Sequence, residues 1–380
     1  MKRRIEEHPF ARIERGSEVT IEFAGRPLRG FEGESVAMTL LAEGITILSR
    51  SPKYQRPRGL FCGAGGCGNC LMRIDGVPNV RACRTPVRDR MKVEIQKSLP
   101  VAMPAVIETL FPHGIPYHTL FTRFRTINEA FLRITRRVAA AGRLPERWGE
   151  EVKEAERREV DLLVVGGGGA GLAAAGAAAE AGASVLLVER DEAPGGYLRS
   201  ASAPVAGSAT GEERRKRGID LTRDLIAHAE AQGVEIMTDT TAVAFDPEGR
   251  LALVHPEGLT VVTPKRTIFT TGAYDLPLSF VNNDLPGIFT FHALQRIVNL
   301  AGILPGERIL MIGSNSEVLH FACSLPRFGI RLGGIITESP ALEGTMGEEF
   351  TESGVPIFVN RRIVRAVGRE GVEGVEVVPT

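Results

Sequence analysis

The chain has 380 residues, enough for two or three domains with substantial hydrophobic cores. Its 46 basic and 46 acidic residues cancel, so the charge balance does not favour nucleic acid as the main partner. The N-terminus lacks the apolar core of a signal peptide. The longest apolar run, 162–188, carries Glu180 and many small residues, which predicts a soluble strand–helix–strand unit with no transmembrane segment.

The first part of the chain predicts a small β-grasp domain over residues 1–98. Ser35 is a suitable N-cap for a helix over 36–43 that ends at Gly44. Short alternating runs predict five strands. The first covers residues 19–24, the second ends near residue 31, and the other three cover 71–74, 79–83 and 92–96. A cysteine-rich loop lies between the helix and the third of these strands.

Four cysteines, Cys62, Cys67, Cys70 and Cys83, have the Cys-x4-Cys-x2-Cys spacing and distant fourth cysteine of plant-type [2Fe–2S] sites. Four of the six residues between the first three are glycine, which lets the backbone wrap closely and turn its N–H groups inward. Zinc is a competing interpretation, although zinc sites usually use two separated cysteine pairs. Two disulfides would require an oxidising compartment. We predict a [2Fe–2S] cluster on these cysteines and a reducing, cytoplasmic setting.

Several arginines flank the cysteine loop, namely Arg56, Arg58, Arg73, Arg81 and Arg84. They form either a solvated basic rim or a surface that compensates an anionic cluster or receives an acidic partner. A linker over residues 99–158 follows. It contains an aromatic and proline-rich stretch over 110–124, a predicted helix over 127–141, and a charged run over 146–159 that predicts an exposed linker or helix.

A second motif begins with an apolar strand over 162–165 and continues as Gly-x-Gly-x-x-Gly over 166–171. A helix of small residues and a strand over 185–188 follow, and this strand ends at Glu189. Such a unit holds a pyrophosphate at the helix N-terminus, and the carboxylate binds a ribose hydroxyl. The acidic residue favours FAD or NAD over NADP. The predicted binding residues are Gly166, Gly168, Gly169, Ala170, Gly171, Glu189 and Arg190.

The residues after Glu189 favour flavin. A second glycine pair, Gly195-Gly196, is suited to a close approach of FAD phosphates, and Thr271-Gly272 resembles the turn by which flavoproteins with two dinucleotide domains leave the FAD domain. Val243 could contact an adenine, and residues 212–217 predict a solvated helix face. The FAD domain is predicted over residues 159–290.

A third, degenerate nucleotide-binding unit is predicted over residues 291–380. Its strand ends in Gly313, but Asn315 and Val318 replace the later glycines of the fingerprint, which disfavours NAD binding. Cys323 is predicted to be a small buried hydrophobic residue, and a hairpin is predicted over 363–378.

Four features, taken together and in their order along the chain, resemble one family over nearly the whole sequence. They are the cysteine domain, the Leu-Phe-Pro…Tyr-His-Thr-Leu-Phe linker, the Gly-Gly-Gly-Gly-Ala-Gly loop and the Thr-Thr-Gly-Ala-Tyr-Asp-Leu-Pro segment. This family is the α-subunit family of heterotetrameric sarcosine oxidase, shared with opine oxidases, proline and hydroxyproline dehydrogenases and hydrogen cyanide synthase. The resemblance implies an α/β and α+β architecture, in which a [2Fe–2S] ferredoxin-like domain precedes a Rossmann-like flavoprotein module with two dinucleotide-binding domains.

The same resemblance implies FAD, NAD or ATP at the first dinucleotide site and a further flavin, FMN, at a subunit interface. It also implies a flavin-bearing catalytic β subunit as partner. In the family the chain continues beyond the position of Thr380 to a segment that returns to the FAD domain. Three explanations stay open: the sequence is a fragment, a neighbouring chain completes the site, or flavin binding is weak.

These observations predict an iron–sulfur flavoprotein subunit of an amine or imino-acid oxidoreductase, which acts on CH–NH groups of donors. Electrons would pass from a flavin in the partner to an acceptor such as a quinone, a ferredoxin-like carrier or oxygen. We predict no catalytic residue in this chain, because no acid–base array is recognisable. One alternative is an NADH-dependent reductase of the flavin and cluster; another is a non-catalytic, nucleotide-binding assembly subunit.

Overall fold

The computed structural model describes residues 3–11, 13–51, 54–96, 125–138, 154–205, 216–342, 350 and 354–380. The chain divides into two compact units. One comprises the described residues within Met1–Trp148 and Asp275–Thr380, and the other those within Gly149–Tyr274.

The first unit begins with a small mixed sheet and one buried helix. The strands are β1 (Glu18–Phe23), β2 (Arg26–Phe31), β3 (Ser49–Arg50), β4 (Pro57–Arg58), β5 (Leu71–Ile74), β6 (Val77–Arg81) and β7 (Lys92–Ile95). Five of them form a sheet in the order β2-β1-β7-β5-β6, in which β1 and β7 are parallel. Helix α1 (Val36–Ala42) is buried along its whole length, and the Ser35 side chain caps it by accepting a hydrogen bond from the Met38 N–H. The predicted helix start is confirmed.

The core of this sheet extends into the C-terminal part of the same unit. Ile21, Leu40 and Met72 are fully buried, and Ile297 and Ile303 belong to the same hydrophobic cluster. Residues near the N-terminus add backbone pairing, because the Ile5 N–H donates to Gly302 O at 2.7 Å. The cysteine-bearing sheet therefore packs on residues that follow Asp275 in the sequence.

Helix α2 (Arg125–Val138) lies within the predicted linker and overlaps the helix predicted over 127–141. The aromatic stretch over 110–124 and the charged residues 146–153 lie outside the described residues. The remaining part of the charged run was predicted as a linker or helix, and this is wrong. Residues from Glu156 belong to a strand, because they pair with a parallel neighbour from Thr260 onward.

The second unit is built on a six-stranded sheet in the order β12-β9-β8-β15-β14-β13. Its strands are β8 (Glu156–Val165), β9 (Val185–Val188), β12 (Glu235–Met237), β13 (Thr241–Phe245), β14 (Leu251–His255) and β15 (Gly258–Phe269), with a separate short pair, β10 (Pro204–Val205) and β11 (Lys216–Arg217). β12, β9, β8 and β15 are parallel, whereas β14 and β13 are antiparallel additions. Helices α3 (Gly169–Glu180) and α4 (Gly218–Ala231) accompany the parallel strands. The helix predicted over 212–217 is wrong at Lys216–Arg217, which pairs as a strand with Pro204–Val205.

The C-terminal part of the first unit is a smaller parallel sheet followed by a hairpin. Its elements are α5 (Phe291–Gln295), a π-helical turn (Arg296–Leu300), β16 (Arg308–Ile312), α6 (Ser316–Ser324), β17 (Arg331–Ile336), β18 (Ile357–Phe358), β19 (Arg361–Val367) and β20 (Gly374–Pro379). Strands β16, β17 and β18 are parallel, and β19 and β20 form the predicted hairpin.

Cys323 on α6 corrects a prediction. It is exposed, not buried, because α6 turns Val318, Leu319 and Ala322 toward the core and leaves Cys323 on the opposite face. Within the described ranges, no helix combines the length and apolar character needed to cross a membrane.

Candidate functional site

The cysteine loop joins β4 to β5 in a series of tight turns. Gly63, Gly65 and Gly68 adopt positive φ angles of 59°, 81° and 74°, which glycine reaches without steric cost. The loop places its cysteines at different depths, because Cys70 and Cys83 are 2% and 7% exposed whereas Cys67 is exposed. Ala82 N–H donates to Cys70 O at 3.0 Å and holds these two buried cysteines on neighbouring segments.

The four thiols are arranged as two pairs. A hydrogen bond from Cys67, together with backbone N–H groups of the loop, lowers the pKa of Cys62 to about 4. A hydrogen bond with Cys83 lowers the pKa of Cys70 to about 7, and the pKa values of Cys67 and Cys83 are raised. The amide of Cys67 also points at Cys62 Sγ, 3.4 Å away. Cys62 and Cys67 are thus within hydrogen-bonding distance of one another, and so are Cys70 and Cys83.

The two thiol pairs fit the ligand set of a two-iron cluster. Each of the two irons in such a cluster takes two cysteine ligands. The inward amides would offset the negative charge of such a cluster.

The glycine loop of the second unit connects β8 to α3. Gly166 has φ of 106°, and a Cβ there would lie 2.4 Å from Thr270 O. A Cβ on Gly171 would lie 2.0 Å from Gly166 O. These two glycines therefore allow the strand, the turn and the helix to pack closely, as in dinucleotide-binding loops.

Gly168 has a different environment. A Cβ at this position would meet no atom within 4 Å, so the backbone faces open space at the N-terminus of α3. The second glycine pair lies against it, since Gly195 N–H donates to Gly167 O at 2.6 Å and a Cβ on Gly196 would lie 3.0 Å from Gly168 Cα. The arrangement leaves a cradle of bare backbone where a pyrophosphate can approach.

Glu189 follows β9 and lies directly beside this cradle. The residue is 8% exposed, and its carboxylate accepts hydrogen bonds from the N–H groups of Gly167 and Asp191, both at 2.8 Å. A carboxylate has about four acceptor positions, so it can still accept a ribose hydroxyl. The structure thus brings together the predicted Gly166–Gly171 loop, Gly195, Gly196 and Glu189.

The other predicted nucleotide contacts are more peripheral. Arg190 donates to the Tyr274 hydroxyl at 2.5 Å and lies over its ring. Val243 lies on β13 and is 56% exposed. Thr240, just before this strand, donates its N–H to Glu189 O at 2.9 Å. Thr271 and Gly272 follow β15, and Gly272 has φ of 73°.

Sequence reasoning missed Thr270. Its hydroxyl donates to Gly166 O at 2.7 Å, and its N–H donates to Val165 O at 2.8 Å. The preceding β15 runs parallel to β8, which carries Thr270 to the start of the glycine loop. The Thr-Thr-Gly sequence did identify this turn, but the prediction named Thr271, the residue after Thr270.

Sequence reasoning also missed a His–Asp pair near the cysteine loop. His292 Nδ1 lies 2.6 Å from Asp275 Oδ1, and the His292 N–H donates to Asp275 Oδ2 at 3.0 Å. Burial would raise the pKa of Asp275, but hydrogen bonds from His292 and Thr290 lower it. Thr290 N–H also donates to Phe61 O at 3.0 Å, so the first turn of α5 is fixed against the start of the cysteine loop. Asp275 lies on a loop and His292, 17 residues later, lies on a helix, so no regular sequence spacing predicts their contact.

Two family models match the chain in the same order as these two sites. Residues 16–98 match a 2Fe-2S iron-sulfur cluster binding domain. Residues 161–263 match FAD dependent oxidoreductases. These matches establish a [2Fe–2S] cluster and FAD as the cofactors and confirm the predicted fold class.

Known proteins resemble the chain over different lengths. The sarcosine oxidase subunit alpha of Rhizobium meliloti is 27% identical over 87% of this chain and 35% of its own length. The hydrogen cyanide synthase subunit HcnA of Pseudomonas aeruginosa is 42% identical over 22% of this chain and 78% of its own length. The crystal structure of L-proline dehydrogenase from P. horikoshii shares the fold over the whole chain, with a TM-score of 0.67, 24% identity and 60% of its own length covered. The chain thus spans about a third of the sarcosine oxidase subunit.

Proposed function

Because this chain belongs to the α-subunit family of heterotetrameric sarcosine oxidase and its relatives, we propose that it is the electron-transferring subunit of an amine or imino-acid oxidoreductase. Its substrate class would be secondary or primary amines such as sarcosine, proline, hydroxyproline or opines. The α-C–H bond of the amine would be oxidised on a flavin in a partner subunit, within a reducing cytoplasm.

One observation carries this proposal: the same chain has a site for a two-electron carrier and a site for a one-electron carrier. Oxidation of an amine to an imine breaks the α-C–H bond, transfers its two electrons and one proton to the flavin as a hydride equivalent, and releases the N–H proton. An iron–sulfur cluster accepts one electron at a time. A chain with both is suited to receiving an electron pair and passing it on singly to a quinone, a ferredoxin-like carrier or oxygen.

Within this proposal the cysteine loop holds the cluster. Cys62 and Cys67 would bind one iron, and Cys70 and Cys83 the other, because the thiols already lie in those pairs. The exposed Cys67 marks the side from which an electron could enter or leave, whereas Cys70 and Cys83 are shielded from solvent.

The dinucleotide site would hold FAD through backbone and one carboxylate. Gly168, Gly195 and Gly196 supply the bare backbone near the pyrophosphate, and Glu189 accepts a ribose hydroxyl. Gly169 and Ala170 begin α3, so their N–H groups would face the phosphates. We place Arg190, Val243, Thr271 and Gly272 at the outer contacts of the same ligand.

The electron-transfer role requires a redox-active cluster on the four cysteines. Anaerobically purified protein should contain two irons and two acid-labile sulfides per chain, as the composition of a [2Fe–2S] cluster requires. It should also give a rhombic EPR signal on reduction. Cys67→Ala should abolish the signal.

Cys323→Ala is the matched control, because Cys323 is also an exposed cysteine of the first unit but lies on α6. It should leave iron, sulfide and EPR signal unchanged. Stoichiometric zinc without sulfide, or an intact cluster in Cys67→Ala, would refute the assignment.

A further inference from the structure

Positive charge is concentrated around the cysteine loop. The whole chain has equal numbers of basic and acidic residues, but the segment 44–88 contains eight basic residues and a single acidic one, Asp75. The basic residues are Arg50, Lys53, Arg56, Arg58, Arg73, Arg81, Arg84 and Arg88. A local excess of this kind attracts anionic partners through the solvent. The role proposed above uses the cysteines of this segment but not its charge.

Part of this charge is neutralised inside the first unit. Three of the arginines form ion pairs there, namely Arg50 with Glu370 at 2.9 Å, Arg58 with Asp284 at 3.2 Å and Arg88 with Asp75 at 3.6 Å. Arg73 on β5 lies opposite Glu94 on β7. In the part of the chain that the structure describes, Arg81 has no carboxylate partner of this kind. The charge of Arg81 is therefore not used to hold the unit together.

Arg81 and Arg84 lie over the cysteine loop itself. A Cβ on Gly65 would lie 3.5 Å from Arg81 Cδ and 3.0 Å from Arg84 Cγ, so the stems of both side chains cross the loop at the same glycine. The turn after β6 fixes their spacing, because Arg84 N–H donates to Arg81 O at 2.9 Å. Arg81 is exposed and Arg84 is half-buried. Two cationic side chains are thus held side by side on the loop.

The same part of the loop is where the cysteines reach the surface. Gly66 and Cys67 follow Gly65 directly and are exposed, whereas Cys70 and Cys83 are 2% and 7% exposed. A cluster on the four cysteines would therefore come closest to solvent beside the two arginines. A protein that exchanges electrons with the cluster would have its shortest approach here.

The arginines have a competing use, which is to offset the negative charge of the cluster. Loop amides already face the sulfurs, as Cys67 N–H does toward Cys62 Sγ at 3.4 Å. Solvent screens an exposed guanidinium group, so Arg81 adds little to a charge that lies below the surface. Its charge is better placed to steer and orient a partner that arrives from solvent.

We propose that Arg81 and Arg84 dock an acidic one-electron carrier protein against the exposed part of the loop at Cys67. This inference rests on the electron-transfer role proposed above, and it names the acceptor as a protein rather than a quinone or oxygen. Carboxylates around the metal centre of the carrier would meet the two guanidinium groups. One electron would pass from the reduced cluster to the oxidised metal centre of the carrier, with no bond broken and no proton moved.

The test uses the full chain with its cluster, verified by EPR, and two carrier proteins of opposite net charge. The probes are an acidic plastocyanin, which is a blue-copper protein, and the basic haem protein cytochrome c. At about 20 mM ionic strength, surface plasmon resonance should show that plastocyanin binds at least about tenfold more tightly than cytochrome c. Raising the ionic strength to about 200 mM should weaken plastocyanin binding by at least about tenfold, because salt screens the attraction.

Charge reversal on the loop should remove this preference. Arg81→Glu and Arg84→Glu should each weaken plastocyanin binding by at least about fivefold and reduce its dependence on salt, because an anion replaces a docking cation. Iron content and the EPR signal of each variant check that the cluster is retained. After anaerobic reduction of the chain, the stopped-flow rate of plastocyanin reduction should fall in the same order as the affinity.

Arg26→Glu is the matched control, because Arg26 is an exposed arginine on β2, at the opposite edge of the same sheet from β6. It should keep the affinity for plastocyanin within about twofold. Equal binding of the two carriers, full affinity in both loop variants, or an equal loss in Arg26→Glu would each overturn the docking surface. A slower electron transfer with unchanged binding would overturn it too, since the arginines would then tune the cluster. A chain without any EPR signal would refute the electron-transfer role together with this surface, whereas an intact signal without a preference for plastocyanin would refute the surface alone.

Discussion

The glycines of the 166–171 loop serve separate purposes at the level of single residues. Gly166 and Gly171 are required by the fold, because a Cβ on either would overlap backbone oxygen. Gly168 is not, since a Cβ there meets open space and its φ of −71° suits any residue. In the proposed function, the open space at Gly168 receives the pyrophosphate of FAD.

Gly168→Val therefore separates binding from folding. We expect the purified variant to lose at least about nine-tenths of its FAD, because a branched side chain would occupy the space of the pyrophosphate. Its iron content should match that of the unmodified chain, and its Tm should match that of the unmodified chain after removal of FAD. Absorbance of the flavin released on denaturation measures occupancy.

Gly374→Val is the control for the added side chain, because a Cβ at Gly374 also meets no atom within 4 Å but lies on the C-terminal hairpin. It should keep full FAD occupancy. If Gly168→Val also retained full occupancy, the FAD site would have to lie elsewhere in the chain.

At the level of elements, the second unit depends on the alignment of β8 with its two parallel neighbours. Asp161 connects all three strands: it accepts hydrogen bonds from Ser184 N–H and Ser184 Oγ, both at 2.9 Å, just before β9. Lys265 Nζ of β15 lies 2.6 Å from its other oxygen. The ion pair with Lys265 and the bonds from Ser184 lower the pKa of Asp161 to about 2.

This shift predicts a pH-dependent effect of Asp161→Asn on stability. A carboxyl whose pKa is depressed in the folded state stabilises that state above its unfolded pKa, near 3.8, and loses the effect as the pH falls toward 2. We expect the variant to have a lower Tm than the unmodified chain from pH 7 to 5, and the difference to shrink below about pH 4. Glu230→Gln, on the exposed face of α4, should show no such pattern. A difference that stayed constant to pH 3 would contradict the linkage.

Strand β8 shows which parts of the fold can be predicted from sequence patterns and which cannot. The apolar end of β8, α3 and β9 were predictable because each has an uninterrupted apolar or small-residue pattern. The first part, from Glu156 to Asp161, was not, because alternating charges on an open sheet resemble a solvated linker. Its strand character comes from pairing with Thr260–Pro264, about a hundred residues away. Thr270, the Asp275–His292 pair and the exposure of Cys323 were unpredictable for a related reason: each depends on which segments meet, and local spacing does not contain that information.

At the level of the whole molecule, segments that are distant in the sequence pack into one unit. The cysteine-bearing sheet shares a unit and a hydrophobic core with residues after Asp275, while the FAD-type unit between them in sequence is compact by itself. Arg58 adds a 3.2 Å ion pair to Asp284, and Arg50 one of 2.9 Å to Glu370. The basic residues beside the cysteine loop thus serve partly to attach it to the C-terminal part of its own unit. Arg81, by contrast, is exposed.

The proposed division of labour predicts how the isolated chain behaves. Supplied with sarcosine, proline, hydroxyproline or an opine and an artificial acceptor, this chain alone should show no amine oxidation, because substrate oxidation is assigned to a flavin-bearing partner. Addition of that partner should give turnover. In a complex with Cys67→Ala, the amine should still bleach the partner's flavin in an anaerobic single turnover, but steady-state reduction of the acceptor should fall by at least about tenfold, because one ligand of the one-electron carrier is missing. Cys323→Ala should behave like the unmodified chain. Amine oxidation by the isolated chain would assign the substrate site to this subunit, and full turnover with Cys67→Ala would show that electrons leave without the cluster.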